Sequence, residues 1–549
     1  MQEDADLESS LGIAVMTSYG FIIDNRKCIG CHACTVACKQ EHDVPVGVNR
    51  TWVKYIEKGE FPDTERAFHV MRCMHCEDAP CVEACPVTAL YIRDDGIVDF
   101  NWDRCIGCNA CVQACPYDAL YTDPQTNTTA KCNYCAHRVD VGLEPACVNV
   151  CPEQAIISGD MDDPTTEISR LLARSKVTTR KPEKGTKPKL FYIDGDQAAL
   201  TPEDAPPSSD YMWNTQSQGV GRHAPGGSHG NGTGVQQGVI PLGKKGDKNG
   251  AASLAPKPEK QPENARRTYD APNKGIAWGK EVPAYVWTKA IATGSVAIPF
   301  LLAGVGVTVA DAALWAGAIL GLVFMAATGA LLVLDLGRPD RFHYVLLMPQ
   351  WKSWLVRGAY IITAFGALLT LWALLKLIGV PDATAILAWP LVLLAFATAV
   401  YTALLFAQAK GRDFWQSPAL PLHMLAHAAI GGAAALYLAS FFVGGLEPLR
   451  EILRWTLGAG VLMALVVMWV ELGTRHPTRD SERAAKMIYA GRYKKLFWGV
   501  SVGLGVALPL ALVAVGSPVA VAAAAVLALV GVLATEHAWV EAPQLIPLA

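Results

Sequence analysis

The chain has 549 residues, 51% of them hydrophobic, with 47 Lys and Arg against 50 Asp and Glu. A net charge of -3 selects no polyanionic partner, and no nucleic acid is expected. The composition also excludes one uniform globular domain: all 16 cysteines lie between Cys28 and Cys151, and the apolar excess lies after Pro283. A cysteine-rich soluble module, a linker and a membrane module are expected.

Residues 1–16 read as an N-terminal extension, with Met16 an alternative start just before the patterned sequence. The opening MQEDADLESSLGIAVMTSYG lacks the basic and apolar regions of a secretory signal and has no twin arginine. A reducing compartment is therefore expected, with the cysteines ligating metal instead of forming disulfides.

From residue 17 to 196 the cysteines fall into four quartets: Cys28, Cys31, Cys34, Cys38; Cys73, Cys76, Cys81, Cys85; Cys105, Cys108, Cys111, Cys115; and Cys132, Cys135, Cys147, Cys151. The first and third have the C-x2-C-x2-C-x3-C spacing. The second and fourth widen only the middle gap. A 4Fe–4S cubane needs a thiolate on each iron, and in two-cluster ferredoxins the fourth cysteine of such a run serves the other cluster. Pro86, Pro116 and Pro152 follow three quartets, whereas Lys39 follows the first. An internal repeat relates 21–31 (FIIDNRKCIGC) to 98–108 (VDFNWDRCIGC), and 90–100 (LYIRDDGIVDF) predicts a hairpin around Asp95-Gly96.

Two other cofactors compete. Cys28, Cys31 and His32 spell the C-x-x-C-H of covalent haem, but that would require export and orphan Cys34 and Cys38, so no haem is expected. Zinc ribbons use separated C-x2-C pairs, which these runs are not. Iron–sulfur chemistry accounts for every cysteine. His32, His75 and His137 lie near the loops and read as hydrogen-bonding or exposed bystanders, the sharper alternative being tuning of potential or proton coupling.

These residues resemble the four-cluster electron-transfer subunits of molybdopterin oxidoreductases such as dimethyl sulfoxide, polysulfide and nitrate reductases. The resemblance implies an α+β ferredoxin-like module with four 4Fe–4S clusters, the outer quartets pairing with each other and the inner two likewise. On that pattern Cys28, Cys31, Cys34 and Cys151 hold the first cluster, and Cys38, Cys132, Cys135 and Cys147 the second. Cys73, Cys76, Cys81 and Cys115 hold the third, and Cys85, Cys105, Cys108 and Cys111 the last. In the family this order runs from the catalytic partner to the membrane.

Residues 197–280 are rich in Gly, Pro, Ser, Asn and Lys and read as a tether that cannot bury a core. His223 and His229 within it look incidental.

Residues 281–549 contain eight apolar stretches long enough to cross a bilayer, near 284–310, 312–335, 354–379, 384–409, 420–445, 452–474, 495–516 and 518–540. Both ends then lie on one side. Lys and Arg concentrate before the first span and in the loops after the second, fourth and sixth. The positive-inside rule places those loops, both ends and the cluster module in the cytoplasm, at the inner membrane. This all-α half resembles the NrfD/polysulfide-reductase membrane subunits through 334–342 (LDLGRPDRF), the span count and, more weakly, 539–548 (WVEAPQLIPL). The family implies quinone or quinol as the exchangeable substrate, usually without haem. His423 and His427, one helical turn apart, suit neighbours better than opposite axial ligands.

Quinone chemistry needs an apolar slot with groups that bind its carbonyls and move protons. Intramembrane ionisable residues are the natural candidates: Lys289, Asp335, Arg338 and His343, with Tyr285 and Trp287 as ring contacts. The bland alternatives are a snorkelling Lys289 and an Asp335–Arg338 ion pair. Glu471 and Glu536–His537 read as proton-path groups or as solvated helix ends.

Together these readings give an electron-transfer and membrane-anchor subunit. It would pass electrons between a separate molybdopterin or tungstopterin catalytic subunit, working on sulfur compounds or formate, and the quinone pool. No substrate-catalytic residue is expected on this chain. The alternatives are a hydrogenase-associated subunit, a redox-driven proton-translocating protein, and a zinc-stabilised membrane scaffold.

Overall fold

The computed structural model describes residues 17–60, 62–202, 204–205, 265–271, 274–380 and 382–549. The N-terminal extension, Met16, His223, His229 and the middle of the expected tether lie outside the described residues.

The cluster module is built on strand β1 (Tyr19–Asp24). β1 pairs antiparallel with β8 (Ile156–Asp160) and parallel with β10 (Leu190–Ile193), which in turn pairs with β9 (Val177–Thr178). Alternation along β1 sends side chains to two cores. Phe21 and Ile23 pack with the cysteines, while Ile22 packs on the far face against Ile168 and Leu171 of the helix Glu167–Arg174. Two small hairpins sit between the cysteine runs. β4 (Leu90–Ile92) pairs with β5 (Val98–Phe100), and β6 (Leu120–Thr122) with β7 (Thr129–Lys131). The first is the hairpin predicted at 90–100, with Gly96 at φ 74° in its turn.

A second sheet is formed by β2 (Trp52–Glu60), β3 (Asp63–Met71) and β11 (Arg266–Tyr269), in the order β11-β2-β3. β11 comes from the stretch expected to be a tether, as do the helical turn Gln197–Leu200 and the buried Trp278. The Gly/Pro-rich composition of the middle of that stretch does not extend to its ends. There Arg-Arg-Thr-Tyr supplies β-formers and an aromatic side chain to bury.

Among the described residues, eight helices in the second half are long and apolar enough to cross a membrane. They are α1 (Glu281–Gly304), α2 (Asp311–Leu334), α3 (Trp354–Leu377), α4 (Ala383–Ala407), α5 (Leu420–Ala439), α6 (Arg450–Gly473), α7 (Leu496–Val515) and α8 (Pro518–Glu541). Two end earlier than the hydrophobic pattern suggests. α1 stops at Gly304, where Gly306 turns the chain at φ 86°. α5 stops at Ala439 because Arg450 folds back onto it, donating from Nε to Ser440 Oγ (2.8 Å) and from Nη2 to Ser440 O (2.6 Å). Hydropathy alone cannot see such a cap.

α1 is the hub, packing on α2, α4, α5 and α8. It meets α5 glycine to glycine: a Cβ on Gly294 would lie 1.8 Å from Ala428 O, and one on Gly432 2.0 Å from the Gly294 carbonyl carbon. Close backbone approach through small residues is how membrane helices pack without a hydrophobic driving force. An amphipathic helix, Arg479–Tyr489, joins α6 to α7 on the side of the cluster module, where Lys181 faces Asp480 at 3.8 Å.

Candidate functional site

The cysteine loops repeat a backbone device. Gly30 and Gly107 both have φ 71°, and the residues after the second cysteines, His32 (φ 61°) and Asn109 (φ 55°), are left-handed N-caps of the next helices. His and Asn are among the few side chains that tolerate this region. The His of C-x-x-C-H therefore occupies a turn position that Asn fills in the repeat. Its ring packs edge-on against Tyr269 at 4.8 Å. His75 is buried, and its Nδ1 accepts from Val98 N (3.2 Å). His137 pairs with Glu41 at 2.8 Å.

Three cavities in the cluster module have cysteine walls. One is lined by Cys28, Cys31, Cys34 and Cys151, a second by Cys73, Cys76, Cys81 and Cys115, and a third by Cys85, Cys105, Cys108 and Cys111. The remaining four are mutual neighbours, with Cys132 and Cys147 close enough to Cys38 and to Cys135 for their charges to interact. Each constellation takes three cysteines from one run and one from another.

The surroundings fit iron–sulfur clusters. Backbone N–H groups four residues after the last cysteine of the second and fourth runs donate to its sulfur, Ala89 to Cys85 and Ala155 to Cys151, both at 3.2 Å. Hydrogen bonds to cysteine sulfur are among the features that tune iron–sulfur sites. The guanidinium of Arg72 is fully buried and reaches Cys147 Sγ at 3.0 Å, while its Nε and Nη2 have no hydrogen-bond partner among the described residues. Two unpaired donors of a buried cation beside four thiols call for anionic acceptors there, and cluster sulfides and thiolates are such acceptors.

The four constellations are ordered in space. Charge-interaction neighbours run from Cys34 to Cys147, from Cys132 to Cys73, and from Cys81 to Cys111. At one end Cys31 is exposed, with Ile29 (56% exposed) and Val36 (65%) beside it. At the other, the Cys105–Cys108 loop is seated on the membrane half. Gly337 N and Arg338 N donate to Gly107 O (3.2 Å) and Ile106 O (3.1 Å), and Arg341 Nη1 donates to Cys105 O (3.0 Å). Trp278 Nε1 donates to Cys108 O at 3.0 Å.

The six residues expected to serve quinone do not all converge. Tyr285 and Lys289 are buried in α1. Lys289 does not snorkel: Nζ donates to Ala399 O (3.2 Å) and Thr402 Oγ1 and lies 4.6 Å from the Tyr401 ring, tying α1 to α4. Asp335, at the end of α2, is close enough to both Tyr285 and Cys108 for their charges to interact. The alternative of an Asp335–Arg338 ion pair is corrected: Arg338 pairs with Asp340 at 2.9 Å, two residues on in the same turn. His343 is exposed, and Trp287 Nε1 is spent on Leu529 O (2.9 Å).

The bundle instead gathers four residues from three separate stretches of sequence. His423 Nδ1 and Glu471 Oε2 are 2.8 Å apart, His427 Nδ1 and Glu536 Oε1 2.6 Å, and Glu536 Oε1 and His423 Nε2 3.6 Å. Trp539 Nε1 donates to Glu471 Oε2 at 2.9 Å. All four ionisable groups are buried. They come from α5, α6 and α8, and their burial corrects the alternative that Glu471 and Glu536 are solvated helix ends.

Sequence reasoning also missed the seam between the halves. Gln544 accepts from Trp278 N (2.9 Å) and Gln113 Nε2 (2.7 Å), and Arg412 donates to Gln113 Oε1 (2.8 Å), Pro543 O and Ile546 O (both 3.0 Å).

Comparison with known proteins gives each half a relative. Residues 270–547 match the family profile described as polysulphide reductase, NrfD, and residues 27–90 and 64–161 match profiles of 4Fe-4S dicluster domains. Over 187 residues the protein is 44% identical to a polysulfide reductase chain of Wolinella succinogenes, covering 33% of this chain and 97% of that one. Over 188 residues it is 43% identical to a tetrathionate reductase subunit of Salmonella typhimurium, covering 34% of this chain and 75% of that one. Protein NrfC of Escherichia coli is 44% identical over 179 residues, 32% of this chain and 80% of its own length.

Proposed function

This chain belongs to the polysulphide reductase NrfD family and carries an iron–sulfur module of the 4Fe-4S dicluster type on the same polypeptide, and we propose from this that it is the electron-transfer and membrane-anchor subunit of a quinone-linked oxidoreductase. Four 4Fe–4S clusters on the four cysteine constellations form the wire. Its outer end, at exposed Cys31, meets a separate catalytic subunit, and Ile29 and Val36 offer that partner an apolar contact. Its inner end, at Cys108, exchanges electrons with quinone in the bundle near Tyr285, Lys289 and Asp335.

The observation that carries this reading is the unbroken spatial order of the constellations, ending on a loop seated on the membrane helices. Curated relatives named as components of polysulfide and tetrathionate reductases favour a molybdopterin-type partner acting on a sulfur compound. The Lys- and Arg-rich loops favour a cytoplasmic cluster module at the inner membrane.

The test is anaerobic purification with iron, sulfide and EPR analysis, followed by addition of quinol. About 16 iron atoms per chain are expected, with clusters that quinol reduces and an oxidised quinone reoxidises. Zinc in place of iron, or clusters indifferent to quinone, would sink the proposal. A copurifying large subunit with nickel and neither molybdenum nor tungsten would replace the assigned partner with a hydrogenase.

A further inference from the structure

We propose that the buried His423–His427–Glu471–Glu536 network is the proton-exchange site of quinone turnover, and that it opens only toward the face carrying the cluster module. The inference rests on the quinone reading above and adds the side on which protons enter and leave.

Depth in the bundle is the first observation. His423 is the fourth residue of α5, Glu471 the third from the end of α6, and Glu536 the sixth from the end of α8. All three helix ends lie at the cluster module: α5 follows the loop in which Arg412 bonds Gln113, and α8 runs into the tail in which Gln544 bonds Trp278. Lys289 and Tyr285, also near the cluster-side end of α1, are close enough to Glu536 for their charges to interact. One residue beyond Glu536, His537 is partly exposed and lies 3.5 Å from Glu541, which accepts from Tyr493 Oη at 2.7 Å. Ionisable groups thus stand at successive depths along α8, from the network to its cluster-side end.

The opposite direction is bare. Between Arg454 and Glu471, α6 has no Asp, Glu, His, Lys or Arg, a gap of about 24 Å of helix. α8 has none before Glu536, α5 none after His427, and α1 none after Lys289. α2, α4 and α7 have no such group within the span at all, apart from Asp311 at the far end of α2. In α3 only Arg357 and Lys376 are charged, one near each end.

The chemistry needs such a site. Reducing a quinone takes two electrons and two protons to give the quinol, and oxidation returns both. Electrons reach the bundle from the clusters. A hydrogen-bonded pair of imidazoles and carboxylates can accept and release protons without leaving an unpaired charge in the bilayer. With electrons and protons on the same face, turnover moves no net charge across the membrane.

The experiment uses the intact cluster-loaded chain in sealed liposomes containing quinol. Ferricyanide, which does not cross the bilayer and consumes no proton, is the external acceptor, so only chains with outward-facing clusters are read. One proton released to the outer medium per ferricyanide reduced is expected, with no change in a lumenal pH dye and no membrane potential. Protons appearing in the lumen, with a potential positive inside, would overturn the sidedness while leaving the quinone reading intact. Absence of any quinol-dependent ferricyanide reduction would overturn both.

For the residues, Glu536→Gln should slow quinol oxidation on the order of 100-fold, with unchanged iron content and unchanged EPR spectra of the reduced clusters. Glu536→Asp should restore part of the rate. Full activity in Glu536→Gln would remove the network from the proton path.

Discussion

Gly107 and Gly337 show how much one hydrogen atom in place of a side chain can decide. A Cβ on Gly337 would stand 2.6 Å from Asn127 O, and one on Gly107 2.8 Å from Gly337 Cα. Each glycine sits in a short motif, CIGC and LDLGRPDRF, and the two motifs fit because both lack a side chain there. Gly337→Val should cost about 1–3 kcal/mol of docking by overpacking. Quinone-linked reoxidation of the clusters should fall while iron content stays full, so an unimpaired rate would count against this contact. Arg72 acts at the same scale. Replacing it with Met removes a buried cation and charge-assisted hydrogen bonds worth about 1.5–3 kcal/mol. For a one-electron couple that lowers the midpoint potential of the neighbouring cluster by about 65–130 mV. Redox titration followed by EPR reads the shift directly, and an unmoved potential would show that Arg72 does not face a cluster.

Elements carry the coupling between the halves. The segment after α8 contributes Gln544 to Trp278 and Gln113, carbonyls of Pro543 and Ile546 to Arg412, and Leu548 O to buried Arg180 (2.9 Å). Truncation after Glu541 would leave the Arg412 and Arg180 guanidiniums buried without these acceptors, which costs about 1–3 kcal/mol or more for each. The expected result is a chain that keeps its clusters and its helices but no longer passes electrons between them, with the cluster module released by limited proteolysis. Resistance of the truncated chain to the same protease as the full chain would contradict this. Element identity was readable in advance: the eight apolar stretches and the 90–100 hairpin follow from periodicity and turn residues. Element ends were less so. Arg450 capping α5 and β11 joining β2 are set by residues that meet only in the fold.

At the scale of the molecule the two halves have different sources of stability. Most of the cysteines lie in the main core of the cluster module, among Phe21, Val53, Tyr117 and Tyr192. Iron chelation should therefore lower the melting temperature of this half alone, because binding energy there is folding energy. The helical half, held by glycine contacts and the Lys289 tie to α4, should retain its circular dichroism on heating. A single shared transition in both states would argue against that division. The basic loops that bear on topology also find partners in the fold. Arg341 and Arg412 are engaged with the cluster module, so only part of the basic count in these loops is free to interact with lipid. A reporter fused after Ala549 should therefore be compared in the intact chain and in Arg475, Arg479 and Arg483 variants. A cytoplasmic signal that survives in all of them is expected.

What the sequence determined is what local spacing can specify: thiols at intervals that wrap a cubane, apolar runs as long as a bilayer is thick, and Asp-Gly where the 90–100 hairpin turns. These signals depend on residues within a few positions of one another. Tertiary structure decided which thiols from distant runs share a cavity, that Arg338 pairs with Asp340, that Gln544 and Trp278 close the seam, and that two histidines and two glutamates from three helices become one buried network. Their common feature is sequence separation. Each depends on how helices rotate and docked surfaces match, and close packing sets those quantities only once the whole chain is in place.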